Sequence, residues 1–224
     1  MRVQRFGLWI VASLFLGLLV VGPAAAAEDE YAAVRDKLKA CFACHGKNGV
    51  SDDPQIPVLA GQNMYYTYVQ LKDFLAGRRI SPVMTEIMTG RTVAELFANG
   101  SQPGRSDLPV MTEVAAFLTK KEMRTIATFF SEQEWPNIGY RANPARARKG
   151  EVATIAGQCV QCHRGGYEGS SGTPHLAGQH AAYLEKTMRD FKSKARANSA
   201  AKSSLMKTYS AEQISSMAEF LAGM

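Results

Sequence analysis

The strongest constraint on this chain is a motif that occurs twice, Cys-x-x-Cys-His, at residues 41–45 and 159–163. The chain has 224 residues and four cysteines, and the two motifs contain all four. Closely spaced cysteine pairs of this kind occur in zinc sites, redox dithiols, disulfide frameworks and haem attachment sites. Each of these uses makes its own demand on the surrounding sequence.

Three of the four explanations fit the sequence poorly. Two CxxC pairs can supply the four ligands of a zinc site, but such a site does not require a histidine directly after each pair. A thioredoxin-type dithiol needs a βαβ context, and the sequence shows no convincing strand alternation. A disulfide within CxxC closes so short a loop that it constrains almost no chain.

Covalent attachment of haem c is the use whose motif includes the histidine. Two thiols form thioethers with the macrocycle, and the next residue then binds the iron from one side. The sequence therefore predicts two covalently attached haem c groups. The predicted attachment residues are Cys41, Cys44, Cys159 and Cys162, and the predicted proximal iron ligands are His45 and His163.

The N-terminus predicts export. Arg2 and Arg5 precede an apolar run over residues 6–21, and residues 23–27 are small, as in a cleavage site. A signal peptide over residues 1–27 is therefore expected. A retained membrane anchor is the alternative, although the run is shorter than the roughly 20 residues of a bilayer span. Export agrees with haem c attachment, predicts a periplasmic location and argues against a nucleic acid partner.

The chain also repeats itself outside the cysteine motifs. Residues 57–74 align with residues 174–191 at an offset of 117, and residues 118–130 align with residues 209–221 at an offset of 91. The first of these blocks contains the sequence Leu-Ala-Gly-Gln in both halves, which we call the LAGQ run. Because the blocks keep their order, we interpret the chain as a duplicated domain.

Each half has three segments with helical character, and the fold class predicted is all-α. The last segment of each half begins with a capping box, in which Thr119 is followed by Glu122 and Ser210 by Gln213. A stretch rich in proline and glycine separates the halves. The predicted divisions are an N-terminal haem-binding domain at 28–134, a linker at 135–144 and a C-terminal haem-binding domain at 145–224.

The ligand on the opposite side of each iron decides between substrate binding and electron transfer, because an open position can bind substrate. In the first half Met111 lies in a non-helical stretch eight residues before the Thr119 cap, and Met84 and Met88 are alternatives. In the second half Met206 is predicted by elimination. It is the methionine that lies between the second helix and the final cap.

Two further histidines are not expected to bind iron. His180 stands where the first half has Asn63, and a residue that differs between equivalent positions is a poor shared ligand. His175 and His180 are therefore expected to be helix-entry or surface residues.

The sequence resembles the di-haem class I cytochromes c, most closely the cytochrome c4 family. The resemblance rests on CFACHG, CVQCHR, both LAGQ runs, residues 111–133 and the sequence GYRANP, and it spans essentially the whole mature chain. It implies two small helical domains related by a pseudo-twofold axis, each with His/Met ligation and with haem propionates facing across the interface. It also implies electron transfer from a respiratory complex or dehydrogenase to a terminal oxidase.

Charge is uneven along the chain. Residues 28–134 carry 12 basic and 14 acidic residues, whereas residues 135–224 carry 12 and 6. The basic stretch at 186–207 either steers an acidic partner or is a solvated face. The expected function is a non-enzymatic electron carrier with redox protein partners, some of them membrane-bound. The alternatives are a di-haem peroxidase or thiosulfate dehydrogenase with one open haem, and a dedicated cytochrome subunit of a dehydrogenase.

Overall fold

The computed structural model describes residues 30–79 and 118–224. In these ranges the regular structure is helical, with two isolated β-bridges and no extended strand. The predicted signal peptide at 1–27 and the predicted ligand Met111 lie outside the described residues. Among the helices of the described part, none has both the length and the apolar character needed to cross a membrane.

The first half is built from three described helices around one apolar core. They are α1 (Arg35–His45), α2 (Met64–Leu75) and α3 (Lys120–Ser131), with short 3₁₀ turns at Ala32–Val34 and Lys47–Gly49. Helix α3 packs against α2, and its apolar face is fully buried. The core side chains of this half include Val34, Leu38, Leu71, Phe74, Met123, Ile126 and Phe130.

The second half has five helices where three are predicted from the sequence. They are α4 (Pro144–Ala156), α5 (Val160–His163), α6 (Ala181–Ser193), α7 (Ala200–Lys207) and α8 (Ala211–Ala222). Helix α8 packs against α4 and α6. At the crossing of α4 and α8, a Cβ atom on Gly150 would lie 1.9 Å from the carbonyl oxygen of Ser216, so only glycine allows this approach.

Both predicted capping boxes are formed. The Glu122 amide donates to the Thr119 hydroxyl at 3.2 Å, and the Thr119 amide donates to the Glu122 carboxylate at 2.8 Å. The Gln213 amide donates to the Ser210 hydroxyl at 3.1 Å, and the Ser210 amide donates to the Gln213 side chain at 2.8 Å. Each box satisfies amides that would otherwise lack partners at the start of α3 or α8.

The glycine of each LAGQ run ties the run to the last helix of its own half. The Gly61 amide donates to the Phe130 carbonyl at 2.7 Å, and the Gly178 amide donates to the Leu221 carbonyl at 2.8 Å. Both glycines have positive φ, 66° and 69°, which a side chain would oppose. Phe130 and Leu221 are equivalent at the offset of 91, so the two halves repeat the same bond.

The glutamines of the LAGQ runs join the two halves. The Gln179 side chain accepts from the Val58 amide at 2.9 Å and donates to the Val58 carbonyl at 3.0 Å. The Gln62 side chain accepts from the His175 amide at 2.8 Å and donates to the His175 carbonyl at 3.1 Å. Val58 and His175 are equivalent at the offset of 117. The exchange is therefore reciprocal, as a pseudo-twofold relation requires.

From the sequence, Gln62 and Gln179 are expected to cap the following helix, with a hydrogen bond to a propionate or to the backbone near the haem as the alternative. The structure adds bonds between the halves. Each side-chain oxygen does accept from the next amide, that of Asn63 at 2.9 Å or His180 at 3.0 Å. The bonds across the interface nevertheless use both ends of each amide group. Backbone bonds from Tyr66 to Ser171 and from Tyr183 to Pro54 repeat the same exchange.

The segment between the halves has no helix from residue 134 to residue 143, and α4 begins at Pro144 behind the Asn143 cap. The exact division at 28–134, 135–144 and 145–224 stays a prediction.

The turn after each CxxCH motif needs a left-handed residue. Gly46 has φ 74° and ψ 169°, and the equivalent Arg164 has φ 67° and ψ 173°. For residues other than glycine, a sparsely populated backbone conformation of this kind costs about 1–3 kcal/mol of strain. The second half therefore carries backbone strain that the first half avoids.

We predict that Arg164→Gly raises the free energy of unfolding by about 1–2 kcal/mol, because it relieves this strain. Lys194→Gly is the matched control, since Lys194 lies in the more accessible left-handed helical region with φ 66° and ψ 12°. Denaturant unfolding should give the larger gain for Arg164→Gly. An equal or smaller gain than that of the control would contradict the argument.

We also predict that Gln179→Ala lowers the free energy of unfolding by about 2–4 kcal/mol, because it leaves the buried Val58 amide and carbonyl without partners. Gln133→Ala is the control, since the Gln133 side chain bonds the Phe129 carbonyl of its own helix end. That control should cost less than about 1 kcal/mol. Similar losses for the two variants would show that the interface bond contributes little.

Candidate functional site

The first CxxCH motif ends helix α1. Cys41, Cys44 and His45 lie in its last turns, and the Gly46 turn then leads the chain away. The His45 ring is buried, and its Nδ1 lies 2.9 Å from the Pro57 carbonyl oxygen. A hydrogen bond donated by Nδ1 leaves the lone pair on Nε2, which is the nitrogen that a proximal ligand presents to a metal.

The second motif repeats this arrangement on the short helix α5. Cys159 precedes the helix, and Cys162 and His163 complete its turn. The Nδ1 of His163 lies 3.0 Å from the Pro174 carbonyl oxygen. Pro57 and Pro174 are equivalent at the offset of 117, so each histidine is oriented by the same bond at the same place in the repeat.

The protonation states suit haem attachment. Burial lowers the pKa of His45 and of His163 to about 4, so both imidazoles are neutral at neutral pH, as iron ligation requires. All four cysteines are free thiols, available for thioether formation. Within residues 30–79 and 118–224, no three histidine, cysteine or acidic side chains converge on one point, so the two CxxC pairs do not form a joint zinc site.

Two arginines meet at the centre of the interface. Arg79 and Arg196 form an isolated β-bridge, and they are equivalent at the offset of 117. The Arg79 guanidinium donates to the Tyr183 hydroxyl at 3.0 Å, and the Arg196 guanidinium donates to the Tyr66 hydroxyl at 3.2 Å. These bonds also cross between the halves and exchange equivalent partners.

These guanidinium groups suit an anionic partner. Arg196 is only 5% exposed, Arg79 is half-buried, and each lies 4.5 Å from the centre of the Phe ring of its own half, Phe191 or Phe74. Among the described residues, neither forms an ion pair with a carboxylate. A buried cation such as Arg196 normally has a counter-charge, and a haem propionate would supply one.

Sequence reasoning missed this arginine pair. The aligned blocks end at Phe74 and Phe191, and Arg79 and Arg196 follow five residues later in each half. The same offset of 117 pairs them, and this pairing is the signal in the sequence for the arginine pair. The free thiols, the two oriented neutral imidazoles and the buried cations together fit two haem c groups.

Helix α7 carries Met206, the predicted distal ligand, and approaches His163 through Lys202. Met206 is 7% exposed and packs in an apolar cluster that includes Phe191, Ile214 and Met217. Lys202 lies one turn earlier, and its Nζ is 3.4 Å from the Nε2 of His163. The prediction that Met206 binds the second iron stays a prediction, as does that for Met111, which lies outside the described residues.

The remaining histidines have structural contacts. The His175 ring stacks on Trp135 with ring centres 3.7 Å apart. His180 stands at the start of helix α6, as expected, but it is buried, and its Nε2 lies 2.9 Å from the Ser51 carbonyl oxygen across the interface.

Comparison with known proteins places the chain among the c-type cytochromes. Residues 147–224 match the family model for cytochrome c. Cytochrome c4 of Stutzerimonas stutzeri is 36% identical over 198 residues, which cover 84% of each chain. The crystal structure of reduced recombinant cytochrome c4 from Pseudomonas stutzeri superposes with a TM-score of 0.66 at 29% identity, over 86% of this chain and 97% of that one.

A more distant relative is the thiosulfate dehydrogenase electron acceptor of Thiomonas intermedia, which is 27% identical over 75% of this chain and 69% of its own length. The superposition confirms the predicted fold class, all-α with two tandem cytochrome c-like domains. The similarity in sequence and fold also implies covalently bound haem c, one group for each domain. The chain belongs to the cytochrome c4 family.

Proposed function

We propose that this chain is a periplasmic di-haem cytochrome that carries electrons from a respiratory complex or dehydrogenase to a terminal oxidase. One observation carries the proposal. Both CxxCH motifs present a buried, neutral histidine whose Nδ1 bonds an equivalent prolyl carbonyl, Pro57 or Pro174. Two equivalent sites of this kind suit two one-electron centres in a single chain.

The proposed roles follow the sequence predictions. Cys41 and Cys44 attach one haem, and Cys159 and Cys162 attach the other. His45 and His163 are the proximal ligands, Met111 is the distal ligand of the first haem, and Met206 is the sequence prediction for the second. Bound haem supplies the one-electron Fe(III)/Fe(II) couple. The protein fixes the imidazoles through the prolyl carbonyls and excludes water from around them, which limits rearrangement when an electron arrives.

The interface holds the two sites in a fixed relation. Gln62 and Gln179 each make a two-point bond to the opposite half. Arg79 and Arg196 add cations between the sites, and a buried positive charge favours the reduced iron, which carries one positive charge fewer. This arrangement supports electron exchange between the two haems within one rigid unit.

The basic face of the second half supports a protein partner with an acidic surface. Lys186 and Arg189 form ion pairs with acidic neighbours. Lys192, Lys194 and Lys207 lie nearby and form no ion pair among the described residues. A surface of this sign steers a brief encounter with an acidic partner, which suits a carrier that must release what it binds.

A second candidate function is that of a dedicated electron acceptor for a dehydrogenase. The relative from Thiomonas intermedia bears this description, and the fold serves either role. Affinity purification of the native protein separates the two, because a dedicated acceptor would co-purify in fixed stoichiometry with an enzyme. A free carrier would be recovered alone.

We predict that the purified chain begins at Glu28 and contains two covalently bound haems. Replacing both cysteines of one motif, Cys41 with Cys44 or Cys159 with Cys162, by serine should leave one covalent haem. The measurement is the intact mass together with the haem that resists extraction by acidified acetone. Two covalent haems in either double variant would show that the motif does not attach haem.

We also predict that Arg79→Gln lowers the reduction potential of the first haem. Arg79 acts electrostatically on His45, so its removal takes a positive charge from near that site. If the change removes about 1.4 kcal/mol of stabilisation of the reduced state, the potential falls by about 60 mV for a one-electron couple. Arg148→Gln, on the exposed face of helix α4, is the control and should leave both potentials unchanged. Equal shifts for both variants would contradict a local effect.

A further inference from the structure

In the sequence repeat, Lys202 of the second half aligns with Met111 of the first. The offset of 91 superposes the final helices and their capping boxes, so that Thr119 coincides with Ser210. The same register pairs Met111 with Lys202, and each stands eight residues before its cap. Met206 pairs with Ala115 in this register. The residue equivalent to the first predicted distal ligand is therefore a lysine.

The structure places the Lys202 amine close to the nitrogen through which His163 would bind iron. Its Nζ is 3.4 Å from the Nε2 of His163. A metal–nitrogen bond in proteins is about 2.0 Å, so two nitrogens on opposite sides of one ion lie about 4 Å apart. The observed separation is about half an ångström shorter than that distance. A small movement of one flexible side chain would make room for the iron between the two atoms.

A simple hydrogen bond from Lys202 to His163 is the alternative explanation of this short distance. Such a bond is lost when haem binds. The Nδ1 of His163 donates to the Pro174 carbonyl, so Nε2 carries the only free lone pair of the ring. That lone pair binds the iron in the proposed function, and it then accepts nothing from a lysine. The amine also lies near Cys159 and Cys162, the two attachment residues of the same motif.

Met206 is placed differently. It lies one helical turn after Lys202, and its side chain belongs to the apolar cluster between α6, α7 and α8. A methionine in such a cluster is explained by packing alone. Register, distance and local packing thus select the same residue.

We infer that the Lys202 amine is the distal ligand of the second haem, which would then have His/Lys ligation while the first has His/Met. The inference rests on the proposed function, because it assumes haem at both motifs. On coordination the ammonium group releases one proton to solvent, and the nitrogen lone pair binds the iron without any change in oxidation state. An amine is a harder ligand than a thioether, so it stabilises Fe(III) and lowers the potential of the second haem relative to the first.

The test compares ferric spectra of the purified holoprotein and its variants, with the haem content of each sample measured first. The signal is the weak red absorption band of thioether-bound ferric iron, calibrated per haem and supported by near-infrared magnetic circular dichroism. In the native protein we expect the band from one of the two haems. In Lys202→Met the band should double, and the lower of the two potentials should rise.

Met206→Leu separates the two candidate ligands and keeps the volume of the core side chain. If Lys202 is the ligand, this variant retains the native band and both potentials. Lys202→Ala should give a high-spin second haem that binds added imidazole. Lys207→Ala, which changes an exposed lysine at the end of the same helix, should behave as the native protein.

The outcomes distinguish this inference from the proposal on which it rests. Two haems with thioether bands from both, and loss of one band in Met206→Leu, would overturn the lysine ligand and leave the electron carrier intact. Fewer than two haems per chain would overturn the di-haem function and the lysine ligand with it.

Discussion

The arrangement of this molecule depends on the hydrogen bond between each motif histidine and a prolyl carbonyl. Pro57 receives the bond from His45, and the next residue, Val58, is held by Gln179 of the opposite half. Pro174 and its neighbour His175 repeat this relation with His163 and Gln62. One dipeptide in each half thus orients a proposed iron ligand with its first residue and forms the interface with its second.

This coupling has a consequence for electron transfer. A change in the orientation of either imidazole would be transmitted through two covalent bonds to the interface, and a shift of the interface would act on both imidazoles. Two proposed redox centres are therefore held by a single reciprocal network. Arg79 and Arg196 lie within the same interface and add positive charge there. Stability, orientation and electrostatics are set by the same few contacts.

The sequence predicts much of this fold because the duplication presents each motif and each capping box twice. Spacing predicts the capping boxes at Thr119 and Ser210, and helical spacing without strand alternation predicts the all-α fold. The cross-interface role of the LAGQ glutamines is not predicted, since a glutamine before a helix equally suits capping, and only the three-dimensional arrangement brings Val58 opposite Gln179. The strain at Arg164 likewise cannot be predicted from residue preferences, because arginine rarely takes that backbone conformation.

For the distal ligand of the second haem, two arguments from the sequence select different residues. Selection by residue type leads to Met206, since thioethers are common iron ligands and this segment has one methionine. Selection by register leads to Lys202, since the repeat aligns it with Met111. The 3.4 Å contact with His163 favours register over residue type. Side-chain chemistry can change at a position whose place in the fold is retained.

The central claim is that two separate redox centres occupy two equivalent sites in one chain. Its most direct measurement is an anaerobic optical redox titration of the purified protein with the haem content determined independently. The account predicts two one-electron steps of equal amplitude at different potentials, one for each haem. A total amplitude equal to one haem per chain would contradict it.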